Sequence, residues 1–127
     1  MAVKIVLTIK KEEINDKLTD FLKKLNREEN LEGKIIMCAK EGENYLGAGA
    51  LELNVDKVYL NFLVTEEEDL ILKLGIIKSL LNLADLRGIK TVYGNNKELA
   101  SLYKMTRFKD DGDEMKLDLE GYFTSGC

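Results

Sequence analysis

The residues able to carry chemistry are concentrated between Leu60 and Phe108. Asn96, Leu99, Leu102, Tyr103, Arg107 and Phe108 fall in the run Asn-x-x-Leu-x-x-Leu-Tyr-x-x-x-Arg-Phe, and Gly75 interrupts the apolar stretch Leu72-Lys73-Leu74-Gly75-Ile76-Ile77. Glu66-Glu67-Glu68-Asp69 stands just ahead of that stretch. At a helix N-terminus such carboxylates stabilise the helix by about 0.3–1 kcal/mol each, and they repel any anion brought there. The chain has no histidine. Imidazole acid–base chemistry and histidine metal sites are therefore excluded, and no metal site is expected. The two cysteines do not make a disulfide framework. Cys38 lies in an apolar run and reads as a small core residue, whereas Cys127 reads as an ordinary exposed thiol.

Composition bounds the frame that must hold these residues. A chain of 127 residues with 45% apolar and 33% charged side chains reads as one domain, 1–127, with a single core. Its net charge of −4 is spread over mixed acids and bases, which argues against nucleic-acid and membrane-surface partners. No apolar run is long enough to span a bilayer and no signal-peptide pattern opens the chain, so a cytoplasmic location is expected.

Periodicity supplies the elements. Ala2 to Leu7 alternates and predicts a strand; Ile14, Leu18, Phe21, Leu22 and Leu25 predict an amphipathic helix over Lys11 to Asn26. Lys34–Lys40, Tyr45–Asn54 and Val58–Val64 read as three strands joined by tight turns, an antiparallel meander. Gly47 and Gly49 thin one face of the second, either for a close approach by a ligand or backbone or for a strand bend. Thr65 with Glu68 fits a capping box, so Thr65 is the expected N-cap of a long helix ending near Arg87-Gly88. Lys90–Tyr93 follows as a short strand parallel to Val58–Val64, then a helix over Glu98–Met105 and a last strand over Met115–Leu119. The expected fold is α/β (α+β), a mixed sheet in the order β-α-β-β-β-α-β-α-β.

A meander feeding a βαβ unit, then a short helix with Tyr103 and Arg107-Phe108 just beyond, resembles the GCN5-related N-acetyltransferase (GNAT) family from Lys34 to Leu119. The resemblance implies acetyl-CoA as co-substrate and a small-molecule amine or lysine-type nitrogen as acceptor. It puts the thioester against the splayed strand edge at Leu63 and Val64, where a free backbone N–H would hold the developing oxyanion. Gly75 matches one glycine of the family's pyrophosphate loop, but Leu72 replaces its Arg or Gln and Ile77 its small residue. Asn96 and Tyr103 match the family's last helix, with Leu99 in place of Ala and Arg107 in place of Gly. Tyr103 is the implied general acid for the departing thiolate, and Arg107 and Lys73 could meet phosphate. With no histidine, the general base is a carboxylate or a water chain, with Glu52 and Asn61 as candidates. The alternative is a non-catalytic binding or assembly module of the same fold, with a homodimer through its final strands as one form of it.

Overall fold

The computed structural model describes residues 7–123. The elements are β1 (Leu7–Glu12), α1 (Asp16–Lys24), β2 (Ile35–Glu41), β3 (Asn44–Leu53), β4 (Val58–Thr65), α2 (Leu70–Leu86), β5 (Thr91–Gly94), a 3₁₀ turn (Lys97–Leu99), α3 (Ala100–Met105), β6 (Lys109–Asp111) and β7 (Glu114–Asp118). All seven strands form one sheet in the order β1-β2-β3-β4-β5-β7-β6. Only β4 and β5 run parallel, with α2 as the crossover between them. The mixed α/β architecture is the one expected.

Both faces of the sheet are covered, which is why β2 is apolar along its length rather than alternating. Ile35, Met37 and Ala39 join the core under α2, while Ile36 and Cys38 join the core under α1. On α1, Leu18, Phe21 and Leu22 are buried, and the Asn15 Oδ1 cap accepts from Leu18 N at 2.9 Å. On α2, Leu72, Ile76, Ile77, Leu80, Leu81 and Ala84 are buried. The helix stops at Arg87, and Gly88 follows at φ +80°, the left-handed conformation glycine adopts freely. The thin face of β3 seats α2: a Cβ on Gly47 or on Gly49 would lie 2.9 Å from Ile76.

Four expectations are corrected. Lys11 and Glu12 belong to β1, paired with Met37 and Ile36, so the first helix starts at Asp16 rather than Lys11. Thr65 ends β4 opposite Gly47 and does not cap α2; Asp69 caps it, its Oδ1 accepting from Leu72 N at 3.0 Å. The helix expected over Glu98–Met105 is split into the 3₁₀ turn and α3. An unforeseen strand, β6, pairs with β7 across Gly112. Its residues Lys109, Asp110 and Asp111 are all exposed, so no apolar alternation marks it. The strand expected over Ala2–Leu7 lies, except for Leu7, outside the described residues, as does Cys127.

Candidate active site

The site begins with one extra residue in β4. Pairing with β3 runs in register from Gly47–Thr65 to Ala50–Phe62 and resumes at Glu52–Tyr59 and Leu53–Val58. Between these stretches Leu51 alone opposes Leu60 and Asn61, so β4 carries a bulge there. On its other side β4 pairs with β5 at one described rung, Tyr59–Tyr93. Past the bulge the two strands part.

Side chains replace the missing ladder at the parting point. Asn95 N donates to Asn61 Oδ1 at 2.8 Å, and Asn61 Nδ2 returns a bond to Asn95 Oδ1 at 2.6 Å. Asn96 Nδ2 donates to Asn61 O at 2.7 Å. The Tyr103 hydroxyl donates to Leu60 O at 2.6 Å and lies 3.1 Å from Asn61 Oδ1. Below them, Glu114 accepts from Tyr59 OH at 2.5 Å, Lys57 Nζ at 3.0 Å and Asn95 Nδ2 at 3.2 Å. The Tyr59 hydroxyl and the Lys57 ammonium hold the Glu114 carboxyl below its ordinary range.

Beyond this point the inner edge of β4 is open. Glu66 N donates to Leu46 O on β3 at 2.8 Å. N–H groups alternate along a strand, so Val64 N also faces β3, while Leu63 and Thr65 turn their N–H groups toward the side β5 has left. That side is a cleft of about 450 Å³ lined by Leu63, Val64 and Thr65, by Leu25 and Arg27 after α1, by Leu99 and Leu102, and by Glu66, Glu67, Glu68, Lys73 and Glu98.

The lining of the cleft is mainly polar and acidic, with Leu25, Leu63, Val64, Leu99 and Leu102 as its apolar part. Four carboxylates and two cations line it. Arg27 is paired with Glu98 at 3.1 Å, and Lys73 is paired with Glu68. Nearby Lys24 is 3.5 Å from Glu66. The N-terminus of α2, the natural seat for an anion, is occupied by the Asp69 carboxylate.

Leu63 and Val64 line the cleft; Tyr103 and Asn96 do not line it, and instead bond β4 at the bulge, the apex where β4 leaves β5. The Tyr103 side chain is 1% exposed, and burial pushes its phenol up to about 12. Its ring lies on Gly94, where an added Cβ would come within 2.3 Å of Cζ. Gly75 lies within α2, and its nearest neighbour is Ile9 Cδ1, 3.1 Å from where its Cβ would stand. Its N–H falls inside the helix, where it bonds the preceding turn. Ile77 is fully buried in the core under α2. Among the two base candidates, Asn61 is in the apex network, whereas Glu52 pairs with Lys34 at 3.4 Å away from it. Sequence reasoning missed Asn95, Glu114, Tyr59 and the packing role of Gly94. Gly94-Asn95-Asn96 reads as a turn, and only the β4–β5 pairing brings it against Asn61.

No family model matches the sequence, and no curated protein matches it. Solved structures do. An N-acetyltransferase from Staphylococcus aureus is similar at TM-score 0.73 with 16% identity, covering 91% of this chain and 99% of that one. The ribosomal-protein-S18-alanine N-acetyltransferase of Escherichia coli matches at 0.68 with 14% identity, over 90% and 94%. A Bacillus subtilis acetyltransferase in complex with CoA matches at 0.61 with 15% identity, over 91% and 99%. The chain has the fold of the GNAT N-acetyltransferases.

Proposed function

We propose that this protein is an N-acyltransferase that moves an acyl group from a thioester to an amine, small-molecule or lysine-type. One observation carries the reading. β4 leaves β5 past its bulge, so Leu63 presents an unpaired backbone N–H to a cleft large enough for a thioester arm. That N–H, fixed by the β3 pairing on either side, suits an oxygen that gains charge when an amine attacks the carbonyl carbon.

The chain's own residues fit one part of acetyl-CoA, the donor implied by the resemblance, and not the other. The backbone edge at Leu63, with Leu25, Leu99 and Leu102 beside it, suits the acyl-thioester arm. Among the described residues that line the cleft, both cations are already paired, and the start of α2 beside them carries the Asp69 carboxylate.

Tyr103 takes a different part in this proposal from that of general acid. Its hydroxyl is buried, lines no part of the cleft and already donates to Leu60 O, and burial pushes the phenol up to about 12, all against proton donation to a thiolate in the cleft. Its hydroxyl instead braces the bulge by holding Leu60 O, which keeps the Leu63 edge apart from β5. The leaving thiolate takes its proton from the amine through water.

The acidic rim favours a second reading, a non-catalytic binding module that keeps the fold alone. Thiol release from millimolar acetyl-CoA and S-acetylpantetheine, with and without a lysine peptide or diamine, separates the two. Amine-dependent release is expected. Leu63→Pro removes the cleft-facing N–H while leaving the Val64 pairing to β3, and should lower the rate by about 10²–10³-fold. Leu63→Val should keep most of it. Release no faster than buffer with every donor and amine would favour the non-catalytic module.

A further inference from the structure

We infer that the donor accepted by this cleft bears no phosphate: it is an acyl thioester of a neutral pantetheine-type arm. The inference rests on the acyl-transfer reading and specifies its substrate.

Three independent features of the phosphate end point the same way. First, the N-terminus of α2 is already used, since the Asp69 carboxylate bonds Leu72 N and puts a negative charge where an anion would dock. Second, the two cations that line the cleft are in ion pairs, Arg27 with Glu98 and Lys73 with Glu68, and Lys24 is paired with Glu66. A phosphate brought to any of them would sit beside its partner carboxylate. Third, Gly75 and Ile77 lie within α2 and are given to packing, one against Ile9 and the other in the core, so neither offers loop backbone to wrap a pyrophosphate. The arm end meets none of these obstacles. Leu63 offers its backbone edge, and Leu25, Leu99 and Leu102 are apolar residues of the lining. An extended amide-bearing arm can pair with that edge as an added strand does.

The chemistry balances without a phosphate. The amine nitrogen forms a bond to the thioester carbon, the carbon–sulfur bond breaks, and its electron pair leaves on sulfur. The proton shed by the amine ends on the thiol, so the products are an amide and free pantetheine. No oxidant or reductant is needed.

The test is a calorimetric ranking of S-acetylpantetheine, acetyl-dephospho-CoA and acetyl-CoA at about 20 mM and about 500 mM salt. S-acetylpantetheine should bind at least tenfold more tightly than acetyl-CoA at low salt. The gap should narrow at high salt, where screening hides the rim charges. In the variant carrying Glu66→Gln, Glu67→Gln and Glu68→Gln, acetyl-CoA should gain affinity at low salt while S-acetylpantetheine stays unchanged. Equal or tighter binding of acetyl-CoA by the parent at low salt overturns the inference and leaves the acyl-transfer reading standing. No binding of any of the three, by a protein that unfolds cooperatively, overturns both.

Discussion

Where β4 leaves β5, Tyr103, Asn61, Asn95 and Asn96 are tied together and to β4 by bonds of 2.6–3.1 Å around a tyrosine that is 1% exposed. At the mouth of the same cleft, the partners of Lys73 and Arg27 are the Glu68 and Glu98 side chains, 88% and 65% exposed. The apex is buried and hydrogen-bonded, so any change there is felt by the whole fold. The rim is solvated, so its charges can change sign at little cost to stability. The likeness to solved acetyltransferases spans nine-tenths of the chain at 16% identity or less, a likeness in the arrangement of strands and helices.

The sharpest way to break the contrast is at Tyr103 and Gly94. Tyr103→Ala empties a ring-sized volume and should cost about 3–5 kcal/mol in denaturant unfolding. Gly94→Ala alone drives a methyl into the same ring, 2.3 Å from Cζ, and should cost about 1–3 kcal/mol or more. In the Tyr103→Ala background the clash is gone, so Gly94→Ala should cost little. Additive losses would mean that Gly94 is constrained by something other than the ring.

Alkaline titration gives the next effect. Burial holds the Tyr103 phenol near 12 against an ordinary 10.0. The unfolded chain ionises first, so the folded state holds more protons between about pH 10 and 12 and stability falls as pH rises. Two units correspond to about 3 kcal/mol. Tyr103→Phe cannot ionise, so the stability gap between it and the parent should close over that window. Cys38, also pushed up to about 12 from 9.0 by burial, adds a loss that begins near pH 9. Cys38→Ala should remove that earlier onset. A gap between Tyr103→Phe and the parent that stays constant to pH 12 would show a phenol that reaches solvent.

At neutral pH, Tyr103→Phe keeps the ring but leaves Leu60 O without its donor. The expected cost is about 1–3 kcal/mol, the penalty for an unpaired buried carbonyl. A neutral substitution would mean that the bulge needs no brace.

How much of this the sequence carries follows the same division. β2, β3, β4, α2 and the parallel β5 were legible because burial writes apolar periodicity into them, as in Ile35-Ile36-Met37-Cys38-Ala39 and in the stripe along α2. The bulge was not legible, since one added residue at Leu60-Asn61 leaves no trace in composition. The apex network was hidden for a related reason. Asn61, Asn95 and Glu114 lie far apart in the chain and meet only through strand pairing. The position of the α2 cap was ambiguous because Thr65, Glu68 and Asp69 all suit a helix start, and the β4 pairing of Thr65 settled it. β6 is polar throughout and owes its existence to β7. The acidic run, by contrast, was read directly from the residues, and three of its four side chains line the cleft.

The smallest effects belong to the start of α2 and to the rim, and they complete the contrast with the apex. Asp69→Ala removes the bond to Leu72 N and should cost about 1 kcal/mol, the usual worth of an N-cap. Asp69→Asn keeps an accepting oxygen and drops only the charge, so it should fall within a few tenths of the parent. Glu66→Gln, Glu67→Gln and Glu68→Gln together should move the unfolding free energy by no more than about 0.5 kcal/mol, because exposed ion pairs are worth little. Chemical unfolding at about 20 mM and 500 mM salt measures all three. If the triple variant loses 2 kcal/mol or more, the rim is structural, and its contrast with the apex fails.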